Sequence, residues 1–139
     1  MCIRDRLHVI LRRISQAKQF NSRHNQILDL GVALEMLLLS DNNSTDQLSL
    51  TFRLRGAWLL GRDADERLRL YEQFKKAYNF RSKVAHTGTP GKPKAAQEMR
   101  ELLPTFVELT EKVFQKLLLD GKPEWDSLVL GNTPSSGEA

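Results

Sequence analysis

The chain has 139 residues, of which 40% are hydrophobic and 27% charged, so it can bury the core of one small domain and is not globally disordered. Its formal net charge of +4 permits an anionic partner without requiring one. The single cysteine, Cys2, excludes an internal disulfide and a cysteine-based zinc site, a composition typical of the reducing cytoplasm. No apolar run approaches the roughly 20 residues of a membrane span, so we expect no membrane partner.

Residues 1–6 read as the translation of a sequencing adaptor and are excluded from the fold reasoning. The natural chain is therefore expected to extend upstream. Residues 7–131 are predicted to form one helical domain, the C-terminal part of a longer protein. Residues 132–139 are polar and predicted to be a disordered tail.

Apolar residues recur at helical spacing almost throughout the chain, and strand-like alternation is absent. This pattern predicts a first helix from Leu7 to about Gln19. A second helix is predicted to begin in the polar patch 21–25 and to end near Leu39, where the polar run 41–43 interrupts the apolar pattern.

The third and fourth helices carry start and stop signals. Ser44 and Gln47 are spaced as in a capping box, in which each side chain satisfies an exposed amide near the start of a helix. Gly61 is predicted to end that helix as a left-handed cap. The acidic run 63–66 indicates the start of the fourth helix, which is predicted to extend to about His86.

Residues 87–93 are rich in glycine and proline and predict a loop before a long fifth helix from about Lys94 to Leu119. Pro104 is expected to kink that helix, and Gly121 to end it. A short last helix is predicted after Pro123, carrying Trp125, Leu128 and Leu130. Because short connections favour antiparallel neighbours, the predicted fold is all-α: an antiparallel bundle of about five helices with a short helix after them.

Arg81 interrupts an apolar stripe of the fourth helix, whose other members are Leu70, Phe74, Ala77 and Val84. A charge on such a face needs a partner, a cavity or a second subunit. His86 lies five positions further on, about 140° round an ideal helix and roughly 7.5 Å along it. Either the helix unwinds before His86, or another copy of the chain completes the site. In the structural interpretation, Arg81 pairs internally and His86 caps the helix end.

Glu35 and Arg53 are two further charges with apolar helical neighbours. We predict a buried polar network that joins Glu35 to Arg53 or to Arg81, with a structural role or a catalytic one. His8 and His24 lie in polar stretches and are interpreted as surface residues.

An arginine can hold a phosphate through its fork of charged donors, and a histidine can move protons near neutral pH. Arg81 and His86 are therefore sufficient for cleavage of RNA without a metal. We find no phosphate-binding loop, nucleophile elbow, dinucleotide fingerprint or metal-ligand cluster in the sequence, so neither a cofactor nor a metal is expected.

Three sequence blocks, taken in order, resemble the Apea-like branch of the HEPN domain superfamily: Ala33–Leu38, Thr51–Gly61 and Tyr78–His86. The resemblance extends over most of residues 29–119. It implies an all-α bundle whose members often act as metal-independent endoribonucleases in toxin–antitoxin, anti-phage and RNA-processing systems. Some members have lost catalysis and serve as binding modules.

The functional signature of that family is an arginine, then four to six residues, then a histidine, which corresponds here to Arg81 and His86. The residue after the arginine is commonly Asn, Asp or His, whereas this chain has Ser82. The resemblance implies a site formed across a homodimer that binds RNA, with Asn79, Ser82 and Lys83 as candidates for orienting the substrate. The alternative is a non-catalytic RNA- or protein-binding module of a larger defence protein, with an additional domain or an antitoxin as its partner.

Overall fold

The computed structural model describes residues 3–18, 23–39, 47–87 and 92–131, and the side chains of the first two ranges only at 8–15 and 25–39. This part of the chain is an all-α bundle of six helices without a strand, which confirms the predicted fold class. None of these helices has the length and apolar character needed to cross a membrane. The helices are α1 (Ile3–Lys18), α2 (Arg23–Leu39), α3 (Leu48–Leu60), α4 (Ala64–Thr87), α5 (Pro93–Asp120) and α6 (Trp125–Val129).

Helix α2 lies at the centre of the bundle and packs against α1, α3, α4 and α5. Its sequence is apolar nearly all round, as expected for a helix with neighbours on several sides. Five of its side chains have no solvent exposure: Ile27, Leu30, Ala33, Leu34 and Leu38. Phenylalanines of three other helices complete the core, and the rings of Phe52 and Phe74 meet edge to face with their centroids 5.8 Å apart.

The starts of α1 and α3 differ from the predictions. Helix α1 begins at Ile3, four residues before Leu7, and so includes part of the segment 1–6. Helix α3 begins at Leu48 and has Gln47 as its N-cap, in a left-handed conformation (φ 55°) and without a side-chain cap bond. Gln47 is therefore not the third helical residue that the predicted capping box requires. Residues 44–46 lie outside the described part of the chain, as do 88–91 and 132–139.

The prediction of a left-handed cap at Gly61 is wrong, because its backbone is extended (φ −80°, ψ 133°). Lack of space explains the glycine instead. A β-carbon at this position would lie 2.5 Å from Arg67 Cγ and 2.7 Å from the carbonyl oxygen of Ala57. Gly121 does end α5 with a positive φ of 76°, and its N–H donates to Leu117 O.

Helix α4 begins where the acidic run predicted it. The N–H of Glu66 donates to the carboxylate of Asp63 over 2.8 Å, and the Glu66 carboxylate accepts from the N–H of Arg62 over 3.2 Å. These bonds satisfy amides that have no partner inside the helix. The helix ends at Thr87, one residue beyond His86, so its register carries both candidate site residues.

The last helix is held by an arginine of α3. The guanidinium carbon of Arg55 lies 4.9 Å from the ring centroid of Trp125, which is 4% exposed. Arg55 Nη1 also donates to the carbonyl oxygen of Leu38 over 2.7 Å, so it binds a free carbonyl at the end of α2. Leu130 was predicted to belong to this helix, but it follows the helix as its C-cap and is 84% exposed.

Candidate functional site

Helix α4 is continuous through Arg81 and His86 and ends only at Thr87. Unwinding before His86, the first of the two alternatives, is thereby excluded. The two side chains leave the helix about 140° apart, so one copy of the chain does not direct both at a single phosphate.

The stem of Arg81 crosses α2 at Gly31. A β-carbon at Gly31 would overlap Arg81 Cγ and would lie 3.1 Å from Arg81 Cβ and 3.2 Å from Cδ. Only a residue without a side chain leaves room for this crossing. Gly31 and Glu35 are four residues apart in α2 and so share one face of that helix. The stem of Arg81 therefore packs on Gly31, and its guanidinium reaches Glu35.

Arg81 and Glu35 form a side-on ion pair. Arg81 Nε lies 3.0 Å from Glu35 Oε1, although its buried N–H does not reach hydrogen-bonding geometry, and Arg81 Nη2 donates to Glu35 Oε2 over 3.3 Å. The side chains are 26% and 28% exposed, respectively. The pair thus connects α2 to α4 at the edge of the core.

Burial raises the pKa of Glu35 above its ordinary value, and the nearby charge of Arg81 opposes that shift without cancelling it. The carboxylate has one cationic partner and has lost part of its hydration. Its ionised form is therefore held less favourably here than in water.

Glu35 occupies only one side of the Arg81 guanidinium. Glu35 takes the Nε and Nη2 side, and no described residue pairs with Nη1. Arg81 also lines a surface groove of 500 Å³, together with Glu35, Met36, Leu39, Leu48 and Tyr78. An arginine held on one edge and open on the other can take an anion without a rotamer change.

The other candidate residues of α4 lie on a different face from Arg81. Asn79, Lys83 and His86 are all exposed, and their spacing of four and three places them in one row along the helix. No described residue pairs with His86. Ser82 is partly buried between this row and Arg81. The structure thus groups Asn79, Lys83 and His86 and separates them from Arg81.

Instead of the buried network predicted for Glu35 with Arg53 or Arg81, the structure has a partly buried ion pair of Glu35 with Arg81 alone. Arg53 instead places its guanidinium carbon 5.1 Å from the ring centroid of Tyr71, and its buried Nε has no hydrogen-bond partner. Sequence reasoning gave no role to Arg55, which caps α2. The signal in the sequence was the last turn of α2, which contains no basic residue. Its free carbonyls therefore need a donor from another part of the chain.

His8 is exposed on α1, as expected, and the side chain of His24 lies outside the described residues. Among the residues with described positions, no group of three or more His, Cys, Asp or Glu side chains could hold a metal ion. Comparison of the chain with protein-family models, curated proteins and solved structures gave no match.

Proposed function

We propose that this chain is a metal-independent endoribonuclease of the HEPN type that acts on RNA at a site composed from two copies. The observation that carries the proposal is the state of Arg81. Its Nε and Nη2 edge is held by Glu35, its Nη1 has no described partner, and an exposed histidine lies five positions on in the same helix. Arg81 is thereby pre-organised to bind a phosphate, and His86 of a second copy supplies the group that can transfer protons.

The proposed reaction is attack of a ribose 2′-hydroxyl on the adjacent phosphorus. A bond forms between O2′ and phosphorus, the bond to O5′ breaks, and the products end in a cyclic phosphate and a 5′-hydroxyl. His86 acts as the general base that takes the 2′ proton or as the general acid that protonates O5′. Arg81 stabilises the charge that grows on the phosphoryl oxygens.

The composite site follows from the angle between the two side chains. One copy offers Arg81 and His86 about 140° apart, whereas two copies that pack along their α4 helices under two-fold symmetry can bring the histidine of one toward the arginine of the other. The exposed row of Asn79, Lys83 and His86 then borders the contact with the second copy, with Lys83 and Asn79 available to orient RNA.

A non-catalytic RNA- or protein-binding module is the second candidate, and one observation favours it. Glu35 pairs with Arg81, and a carboxylate at this distance offsets part of the positive charge that would stabilise the transition state of cleavage. In this role the chain would act as one part of a larger phage-defence or toxin–antitoxin protein, where binding alone suffices.

Cleavage of a mixed single-stranded RNA by the wild type and by His86→Ala separates the two. The nuclease proposal expects His86→Ala to lose about 100-fold or more of the rate while keeping the fold and most of the RNA affinity. The matched control is His8→Ala, which removes an exposed histidine from α1 and should cleave like the wild type. Equal rates for wild type and His86→Ala would overturn the nuclease and leave the binding module.

A further inference from the structure

The groove beside Arg81 is lined mainly by apolar and aromatic side chains, which have no part in the ion pair with Glu35 or in the proposed chemistry of His86. Four of its lining residues are apolar or aromatic and come from three helices: Met36, Leu39, Leu48 and Tyr78. The other described residues that line it are Glu35 and Arg81. The volume of 500 Å³ lies within the range of about 300–1,000 Å³ that is usual for small-molecule sites.

Tyr78 connects the groove to the arginine. It lies three residues before Arg81 in α4, so the two side chains are neighbours on the helix surface. Its ring packs at 59° against Phe52 with the centroids 5.1 Å apart, which limits its motion. A restrained aromatic side chain is the usual platform for stacking an unpaired base, and Met36 and Leu39 add polarizable and apolar surface.

The charges around the groove favour an anion attached to that base. Arg81 presents an Nη1 without a described partner. Leu48 is the first residue of α3, so the positive end of that helix dipole borders the groove as well. A flat apolar group joined to a negative group is the shape and charge of one nucleotide.

We infer that this groove is a nucleobase subsite, which takes one unpaired base of an RNA strand while Arg81 contacts a phosphate of the same nucleotide. The inference rests on the proposed function for its substrate, and it adds a requirement. A base inside a duplex cannot leave its stack at low cost, so the groove selects single-stranded RNA.

The test measures binding by fluorescence anisotropy, apart from cleavage. The probe is a short labelled oligouridine with 2′-fluoro groups at every ribose, which lacks the attacking hydroxyl. Its counterpart has the same length and charge but no bases. The wild type should bind the oligouridine about tenfold more tightly than the abasic strand, as expected for stacking of one base. Equal affinity for the two strands would overturn the subsite.

Two variant pairs assign the preference to the groove. Tyr78→Leu should remove the preference for bases and leave abasic binding unchanged, whereas Tyr78→Phe should keep it. Leu48→Asp places a charge in the groove in the first turn of α3, where an acid is tolerated, and should weaken oligouridine binding about tenfold. Ser49→Asp adds the same charge outside the groove lining and should bind as the wild type does.

Light scattering on the same variants separates a base from a second copy of the chain as the occupant. Loss of a dimer in Leu48→Asp but not in Ser49→Asp would overturn the base subsite in favour of a protein contact.

The proposed function and the base subsite can fail independently of each other. If the protein prefers strands with bases but does not cleave RNA, the base subsite stands and the nuclease proposal fails. If it cleaves RNA but shows no preference for bases, the nuclease proposal stands and the base subsite fails.

Discussion

Arg81 of α4 lies across Gly31 of α2 so closely that no side chain fits between the two helices at this point. The contact decides where the guanidinium arrives, because a fixed stem leaves few rotamers for the rest of the side chain. Glu35, one turn along α2 from Gly31, receives it. The geometry of the candidate phosphate-binding residue thus depends on a glycine that does no chemistry.

Gly31→Ala is expected to destabilise the fold by about 1–3 kcal/mol, because the new β-carbon forces the Arg81 stem to move. In an unhindered helix the same change would stabilise by about 0.5–1 kcal/mol. Chemical denaturation measures the difference. The control is the same change in an Arg81→Ala background, which removes Cγ and Cδ and leaves only the Cβ at 3.1 Å, so most of the cost of the alanine should disappear. A Gly31→Ala protein as stable as the wild type would contradict the crossing.

Glu35→Gln is expected to change how stability depends on pH. Because burial raises the pKa of Glu35 in the folded state above its ordinary value of 4.5, the folded protein binds this proton more tightly than the unfolded chain. The stabilisation from this group is complete below pH 4.5 and is lost as pH rises through the raised pKa. Denaturation curves across this range should show that loss in the wild type and not in Glu35→Gln. If the free energy of unfolding changes with pH in the same way for both proteins, the pKa of Glu35 is not raised by folding.

Removing the polar group of Glu35 altogether has a different consequence. Glu35→Ala leaves Arg81 without its partner in a site that is only partly hydrated. We expect a loss of about 2 kcal/mol, between the values for exposed and buried ion pairs. Thermal melts of Glu35→Ala beside Glu35→Gln measure it, and a melting temperature for Glu35→Ala equal to that of the wild type would show that the pair contributes nothing.

Arg55→Met is expected to destabilise the fold by about 1–2 kcal/mol, because it removes a hydrogen bond to the end of α2 and a cation–π contact to Trp125. Methionine retains much of the stem, so packing changes little. Arg69→Met is the matched control. The side chain of Arg69 is 69% exposed, and its nearest charged partner, Glu66, is no closer than 4.0 Å, so its loss should cost little. Urea unfolding should separate the variants, and equal stabilities would mean that Arg55 does not hold the C-terminal helix.

The composite site requires a dimer that forms along the exposed row of α4. Light scattering at micromolar concentration should give twice the mass of the chain for the wild type. Asn79→Arg places a long charged side chain in that row and should shift the mass toward the monomer. Gln115→Arg makes a similar change on an exposed part of α5 and should leave the dimer intact. A wild type that stays monomeric with and without RNA would remove the composite site.

The chemistry of the proposed reaction gives signatures that do not depend on the RNA sequence. Cleavage should persist in EDTA, yield cyclic phosphate ends, and stop on a substrate with deoxyribose at the scissile position. Arg81→Lys should lose most of the rate although it keeps the charge, because lysine cannot form the side-on pair with Glu35 and present a second donor edge. Retained cleavage of the deoxyribose substrate would refute attack by the 2′-hydroxyl.

Local sequence patterns were enough to predict the all-α class and most helix ends. Capping at Asp63 and Glu66, and the positive φ of Gly121, act within a few residues of one helix. Such signals depend on the chain on either side of them and not on the rest of the fold. The same periodicity marked Arg81 and Glu35 as charges on apolar faces, since the angle of a residue on its own helix follows from its number alone.

Only the packing of the helices decided which charges meet. Arg53 and Arg81 were equal candidates for Glu35, and the crossing of α4 over Gly31 selects Arg81 while Arg53 stacks on Tyr71. The prediction for Gly61 was wrong for a related reason, because its need for space comes in part from Arg67 on the next helix. The position of one helix against another is set by the shapes of two surfaces at once, and no pattern within a single segment contains it.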